Sequence, residues 1–246
     1  MKRVKLTVAY DGTAYNGWQV QPNGKTIEGE LNRALSFLFG ETIEVIGASR
    51  TDAGVHALGN IAVFDTGARM PADKIAYALN QRLPEDIRVR KSEEVEPDFH
   101  PRKCESIKTY EYRIYHDKFP LPTRRLYTHY SYADFDLLAM REAAAYLTGE
   151  HDFKSFCASG SQAETTVRTI YTADVREEGN EIVIQISGNG FLYNMVRIIA
   201  GTLMAAGQGV FPPEHMREII AARDRSAAGP TAPARGLTLI SYEFPG

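Results

Sequence analysis

Residues 2 to 10 largely alternate between apolar and polar side chains, and this pattern limits the fold more than any other stretch of the chain. Successive side chains of an extended segment point to opposite faces, so Val4, Leu6 and Val8 share one face and the residues between them lie on the other. A single buried face is typical of antiparallel sheets, because the strands of a parallel sheet are buried on both faces. The chain is therefore expected to build antiparallel sheets.

Helical and extended patterns follow in the first half of the chain. Apolar residues recur at helical spacing between Thr26, a candidate N-cap, and Gly40, a candidate stop. Apolar runs predict strands at 42–48 and 59–65, and the proline at the start of 71–82 is suited to open a second helix.

The second half repeats this order of elements, beginning with a strand in which Tyr110, Tyr112 and Ile114 alternate with polar residues. The further predicted elements are a helix capped by Asp134 that runs through Leu147, a strand around 182–186, helices at 191–206 and 213–223, and a strand at 237–244. Strands and helices in each half favour an α+β fold with two subdomains, 1–103 and 104–246, each a mainly antiparallel sheet flanked by helices.

The segment SRTDAGVH at 49–56 combines a guanidinium, a carboxylate and a glycine in what is expected to be a tight turn. Arg50 and Asp52 lie two residues apart, so in an extended segment they can form a charge-assisted pair that keeps the acid ionised. Gly54 suits a positive φ. Two interpretations remain open: Asp52 is a nucleophile, or it only accepts hydrogen bonds from turn amides. His56, a lone imidazole, is interpreted as structural rather than as a general base.

The longer string SRTDAGVHA at 49–57 resembles the central motif of the TruA family of tRNA pseudouridine synthases, in which the aspartate is catalytic. Further family-like blocks occur in the family's order along nearly the whole chain: YDGT at 10–13 with Tyr15, Gly17, Trp18 and Gln19; Asn80, Leu83, Pro84, Asp86 and Ile87; KTYEY at 108–112; GEHDFKSF at 149–156; MVR at 195–197; and Gly236 with Leu237. Ser49 stands where many members carry glycine, a departure that concerns the turn.

The resemblance implies the pseudouridine synthase fold, with two subdomains facing each other across a central active-site cleft and a homodimer as the common assembly. It also implies an enzyme that isomerises uridine to pseudouridine at positions 38 to 40 in the anticodon stem-loop of tRNA. Asp52 would be the catalytic carboxylate, held ionised by Arg50. Because the uracil is both the leaving group and the incoming group, no cofactor and no metal is expected.

Three residues of the second half gain a role from the same resemblance. Tyr110 would stack on the target base and is a candidate for assisting the final deprotonation at C5, although its strand pattern alone favours a core tyrosine. Arg197, charged within an apolar helix, is either a rim residue or the buried partner of an acid, and the functional version pairs it with Asp52. Leu237 resembles the apolar wall of the uracil pocket, although an ordinary leucine at the start of a strand explains it equally well.

Charge is unevenly distributed along the chain. The formal net charge of −3 argues against a general nucleic-acid binder. Residues 102–125 nevertheless carry an excess of four positive charges, whereas residues 126–193 carry an excess of six negative charges. A basic face can therefore exist on an acidic protein, and Arg102 and Lys108 are candidate contacts to the phosphates of a tRNA partner. Solvated surface charge is the alternative.

Several classes of protein are disfavoured. Cys104 and Cys157 lack metal-ligand spacing, so reduced thiols are expected. The apolar stretch 191–206 is too short to span a bilayer and no signal-like segment opens the chain, so a cytoplasmic location without membrane contact is expected. The Gly188-Asn189-Gly190 segment lacks the third glycine and the lysine of nucleotide-binding loops. The remaining alternatives are a non-catalytic RNA-binding module and a carbohydrate hydrolase, which needs a second catalytic carboxyl.

Overall fold

A computed structural model describes residues 1–245 of the chain. Contacts between residues divide this part of the chain into two units: unit 1 comprises Met1–Glu105 and the chain from Leu239 onward, and unit 2 comprises Ser106–Thr238. The sequence-based division placed its boundary after residue 103 and assigned the C-terminal strand to the second subdomain.

The elements of the described residues follow in chain order. The first six are β1 (Lys2–Tyr10), α1 (Ile27–Phe39), β2 (Ile46–Gly47), β3 (His56–Thr66), α2 (Ala72–Asn80) and β4 (Ile87–Val95). Those of unit 2 are β5 (Ile107–His116), β6 (His129–Ser131), α3 (Leu137–Ala145), β7 (Gly149–Asp152), β8 (Val167–Glu178), β9 (Glu181–Gly188), α4 (Met195–Gly207) and α5 (Met216–Ala222). The last strand, β10 (Leu237–Glu243), starts in unit 2 and continues in unit 1.

Unit 1 is an antiparallel sheet with helices packed on it. Its strand order is β4–β1–β3–β10, and β2 pairs with β3. The alternation predicted for β1 is confirmed, because Val4, Leu6 and Val8 are fully buried while their neighbours are half-exposed. The predicted ends of α1 are also correct: the Thr26 side chain accepts a hydrogen bond from the Gly29 amide, and Gly40 has a left-handed φ of 69°.

The predicted strand at 42–48 is largely wrong, since only Ile46–Gly47 forms a strand. Side chains of α1 bind the backbone that precedes Ile46. The Ile43 amide donates to Ser36 Oγ at 2.9 Å, and the Val45 amide donates to Asn32 Oδ1 at 2.9 Å. Backbone groups satisfied in this way need no sheet partner. The next strand, β3, begins at His56 and therefore inside the 49–57 motif.

Unit 2 has the strand order β5–β9–β8–β7 with antiparallel pairing, and β6 lies parallel to β5. The alternating strands predicted around Tyr112 and Ile184 are confirmed, and these two buried residues face each other in the β5–β9 register. Helix α3 packs against β8 and α4, and α4 also contacts β5. The predicted α+β class with mainly antiparallel sheets flanked by helices is confirmed.

Two helix starts in unit 2 differ from the prediction. The N-cap of α3 is Asp136 rather than Asp134, because the Asp136 carboxylate accepts hydrogen bonds from the amides of Leu138 and Ala139 at 2.9 and 3.1 Å. Helix α4 begins at Met195 instead of residue 191, since Asn194 has a left-handed φ of 59° that no helix interior accommodates.

Candidate active site

The 49–57 motif forms a turn that leads into β3. Gly54 has a φ of 78°, as its position predicts, and the Asp52 carbonyl accepts the Val55 amide at 3.1 Å. The Asp52 side chain is half-buried and Arg50 is exposed. A carboxylate in this setting is held by rigid backbone and still reaches the surface of unit 1.

A buried polar network fixes the first half of this turn. The fully buried Asn60 receives the Ser49 amide on Oδ1 at 3.3 Å and donates from Nδ2 to the Ser49 carbonyl at 3.0 Å. Asn60 Nδ2 also donates to the Tyr10 hydroxyl at 3.2 Å, which in turn lies 2.7 Å from Thr51 Oγ1. Residues on both sides of Arg50 are thereby tied to β1 and β3.

Close backbone contacts complete the support of the turn. A Cβ added to Gly17 would lie 2.6 Å from the Thr51 carbonyl oxygen, and one added to Gly12 would lie 2.0 Å from that of Val55. The Trp18 amide donates to the Thr51 carbonyl at 3.0 Å, and the Trp18 ring is buried. Trp18 therefore belongs to local packing.

His56 closes the second half of the turn. Its side chain is buried, and its Nδ1 accepts the Gly12 amide at 3.1 Å. The Asp11 carboxylate oxygen Oδ1 lies 3.2 Å from the same nitrogen. These contacts fit the structural interpretation of His56.

In unit 2, Tyr110 and Lys108 lie on β5. Tyr110 is buried, faces Ile186 in the β5–β9 register, and packs at 84° against the Phe191 ring with the centroids 5.2 Å apart. Lys108 is half-buried, and burial together with the nearby positive charge of Arg168 lowers the pKa of its ammonium to about 8. Lys108 is therefore not an ordinary solvated lysine.

Arg197 ties α4 to the loop that precedes β10. Its Nε donates to the Ala232 carbonyl at 2.8 Å, one Nη donates to Asn194 Oδ1 at 2.7 Å, and its own carbonyl accepts the Ala232 amide. Leu237 is buried directly after this loop, next to Gly236, where an added Cβ would lie 2.7 Å from the Tyr112 ring. Arg197 thus helps to place the loop that presents Leu237.

The arginines of the basic run at 102–125 differ in their surroundings. Arg102 is exposed in unit 1. Arg113 in unit 2 pairs with Glu111, Glu178 and Glu181 at 2.8 to 3.0 Å. An arginine that contacts three carboxylates is neutralised locally, so Arg113 is a poor candidate for a phosphate contact.

The candidate residues fall into two groups. Arg50, Asp52 and Arg102 belong to unit 1, whereas Tyr110, Lys108, Arg197 and Leu237 belong to unit 2. Tyr10 and Asn60 brace the motif, and the sequence analysis gave neither of them this role. The only signal was that Tyr10 is the first residue of the YDGT block.

Residues 1–245 lack the features of two other types of site. No cluster of three or more His, Cys, Asp or Glu side chains with metal-binding geometry occurs among them. No helix within this range is long and apolar enough to cross a membrane. Both cysteines are free thiols.

Comparison with known proteins defines the class of this fold and site. Residues 6–102 and 143–245 match the family model described as tRNA pseudouridine synthase. The chain belongs to the tRNA pseudouridine synthase family, as the 49–57 motif predicted, and it has the pseudouridine synthase fold. It is accordingly an isomerase of a family that acts on tRNA.

Individual relatives carry a more specific name than the family model. The chain is 48% identical over 244 residues to the tRNA pseudouridine synthase A of Acetivibrio thermocellus, covering 99% of this chain and 100% of the relative. It is 48% identical over 239 residues to the protein of the same name from Brevibacillus brevis, covering 97% and 98%. A solved archaeal box H/ACA sRNP Nop10–Cbf5 complex contains a chain that is 10% identical, with a TM-score of 0.33 over 92% of this chain and 60% of that one.

Proposed function

We propose that this protein converts uridine to pseudouridine at positions 38 to 40 in the anticodon stem-loop of tRNA, with Asp52 as the catalytic carboxylate. The observation that carries the proposal is the braced turn at 49–57. It holds a half-buried carboxylate on rigid backbone within a chain of the tRNA pseudouridine synthase family.

The reaction breaks the bond between C1′ and N1 of uridine and joins C1′ to C5 of the same uracil. Nothing is consumed, so one ionised carboxylate is sufficient and no water needs activation. Three routes are open for Asp52: addition to the base, attack on C1′, or removal of a sugar proton. In each of them Arg50 is proposed to keep the carboxylate ionised.

The enzyme has to take the target uridine out of its stack, which costs a few kcal/mol and least in a loop or at a stem end. Tyr110 is proposed to offset this cost by stacking on the uracil, and Leu237 to form an apolar wall beside it. Arg197 is proposed to contact the substrate, and Arg102 and Lys108 to contact RNA phosphates.

A homodimer and a cytoplasmic location complete the proposal, and both are supported by the family resemblance. Sedimentation of the purified protein with and without tRNA tests the first. Fractionation of cells with an antibody to the protein tests the second.

The decisive experiment replaces Asp52 by Asn. Tritium release from C5-labelled tRNA should be abolished, while the affinity measured by filter binding stays close to that of the wild type, because binding depends on cations and stacking. Asp73→Asn, which changes an exposed aspartate beside Lys74 in the same unit, is the matched control and should retain full turnover.

Other results would favour the alternatives. Turnover near the wild-type rate in Asp52→Asn would remove Asp52 from the reaction. Binding of tRNA without tritium release by the wild type would identify a non-catalytic RNA-binding module. Release of free uracil or of sugars would identify a hydrolase. Stem-loops with a single uridine at position 38, 39 or 40 test the proposed sites.

A further inference from the structure

Two cationic side chains of unit 2 meet at the glycine turn that follows β9. From the point where a Cβ of Gly190 would stand, Arg168 Nε is 3.5 Å away and Lys108 Nζ is 3.9 Å away. Lys108 comes from β5 and Arg168 from β8, the strands on either side of β9. Gly190 is buried, and the place where its side chain would stand is lined by two cations.

The turn at 188–190 is anchored to β8. The Asn189 amide donates to the Thr169 carbonyl at 3.0 Å, and Asn189 Oδ1 accepts the Thr169 amide at 3.0 Å. A Cβ at Gly188 would lie 2.7 Å from the Thr169 carbonyl oxygen, so only glycine allows this approach. The turn therefore has one defined position relative to both cations.

Arg168 is oriented by its own strand. One Nη donates to the carbonyls of Thr165 and Val167 at 2.9 and 2.6 Å, which leaves the Nε edge of the guanidinium toward Gly190. A guanidinium edge and a lysine ammonium that lie 3.5 and 3.9 Å from one point are suited to donate to the oxygens of one phosphate group.

The positive charge of Arg168 disfavours the charged form of Lys108. Burial lowers the pKa of Arg168, and burial and the charge of Arg168 lower that of Lys108. Two like charges in a partly buried position repel each other, and a bound anion between them reverses the sign of that interaction.

We infer that Lys108, Arg168 and the 188–190 turn form a binding site for one phosphodiester group of the RNA substrate. The inference rests on the proposed function for the identity of the RNA, and it adds Arg168 and Gly190 to the residues assigned above. The Gly188-Asn189-Gly190 segment, which does not fit a nucleotide-binding loop, thereby acquires a role in positioning RNA.

Two variants test the site by different means. Arg168→Gln removes one charge, and Gly190→Ala keeps both charges but places a methyl group between them at ordinary contact distances, so the fold tolerates it. Each should weaken binding of an anticodon stem-loop several-fold, and Arg168→Gln should lower the slope of log affinity against log salt by about 0.7 to 0.9. The matched controls are Arg217→Gln, an exposed arginine over the Tyr146 ring, and Gly67→Ala, which has open space around it.

A second arm identifies the ligand. Stem-loops that carry one neutral methylphosphonate at a time should show one position that weakens wild-type binding but has no further effect in Arg168→Gln. Additive losses at every position would overturn the inference. A second result would also overturn it. Inorganic phosphate at constant ionic strength would raise the melting temperature of the wild type and not of Arg168→Gln, and no methylphosphonate position would lose its effect in Arg168→Gln. The site would then bind free phosphate instead of RNA.

These outcomes are separate from a failure of the proposed function. Arg168→Gln and Gly190→Ala should raise the RNA concentration needed for half-maximal turnover, whereas Asp52→Asn should lose turnover at any RNA concentration. The phosphate site alone would be refuted if both variants keep the wild-type RNA affinity and salt slope while Asp52→Asn still loses turnover.

Discussion

Replacing Tyr10 by Phe should impair turnover without touching any group that reacts. The Tyr10 hydroxyl lies 2.7 Å from Thr51 Oγ1 and accepts a hydrogen bond from Asn60 Nδ2 at 3.2 Å. Phenylalanine preserves the ring and its packing on Trp18, where the ring centroids are 5.9 Å apart, and removes only the oxygen. The change therefore loosens the turn next to Asp52 and leaves the core filled.

The magnitude follows from the bonds that are lost. Each net hydrogen bond contributes about 1 kcal/mol, and a buried donor left without a partner costs about 1 to 3 kcal/mol. Asn60 Nδ2 retains the Ser49 carbonyl, so the lower end applies and the total destabilisation is about 2 kcal/mol. For a chain of this size that corresponds to a decrease in melting temperature of about 4 to 8 °C.

Turnover should fall even at an assay temperature at which the variant stays folded. A displaced carboxylate loses orientation, and an error near 1 Å can cost about 100-fold, so a loss of roughly tenfold in turnover at saturating RNA is expected. RNA affinity should change less than about twofold, because it depends on phosphate contacts elsewhere. Tritium release and filter binding measure the two quantities.

Tyr15→Phe is the matched control. Tyr15 is 3% exposed against 5% for Tyr10, and its hydroxyl donates to Asp86 Oδ1 at 2.5 Å, away from the motif. It should lower the melting temperature similarly and leave turnover unchanged. Thr51→Val removes the Tyr10 bond from its other end, so combining it with Tyr10→Phe should add little. Normal turnover in Tyr10→Phe, or an equal loss in Tyr15→Phe, would refute the bracing argument.

Three further predictions concern single residues. Gly54→Ala should destabilise the fold by about 1 to 2 kcal/mol in thermal unfolding, because φ is 78° there, and an unchanged melting temperature would contradict the turn. The Lys108 ammonium is lost as pH rises through about 8, so RNA affinity should fall between pH 7 and 9 in the wild type and stay level in Lys108→Arg, whose guanidinium remains charged. Tyr110→Phe should bind RNA normally, and lost tritium release would assign its hydroxyl to proton transfer, whereas full activity would leave stacking alone.

Elements with a strong local pattern were predictable from the sequence. The alternation in β1 and the Thr26 and Gly40 signals around α1 depend only on neighbouring residues, and the structure agrees with them. The segment 42–48 was mispredicted because side chains of α1 bind its backbone, a contact that no local pattern reveals. Asp134 and Asp136 are chemically equivalent caps, and only the start of α3 distinguishes them.

The candidate site shows the same division between local and long-range information. The SRTDAGVHA string is contiguous, so its turn and the positive φ of Gly54 were predictable. Its supports come from β1 and from the middle of β3, and no local pattern in the sequence connects Tyr10 or Asn60 with the turn. Likewise, Lys108 and Arg168 are 60 residues apart, and only the pairing of β9 with both β5 and β8 brings them to Gly190.

The proposed chemistry gives a reason for placing one carboxylate on a braced turn. The uracil leaves through N1 and returns through C5, so the base has to reorient while the sugar remains bound. A carboxylate fixed relative to the backbone meets the sugar and base in a defined geometry before and after that reorientation, whereas a mobile side chain would lose the advantage of orientation in both steps. Asn60 and His56 fix opposite ends of the turn from buried positions. Loosening either end should therefore slow both steps, and the choice of uridine, which depends on RNA contacts elsewhere, should stay the same.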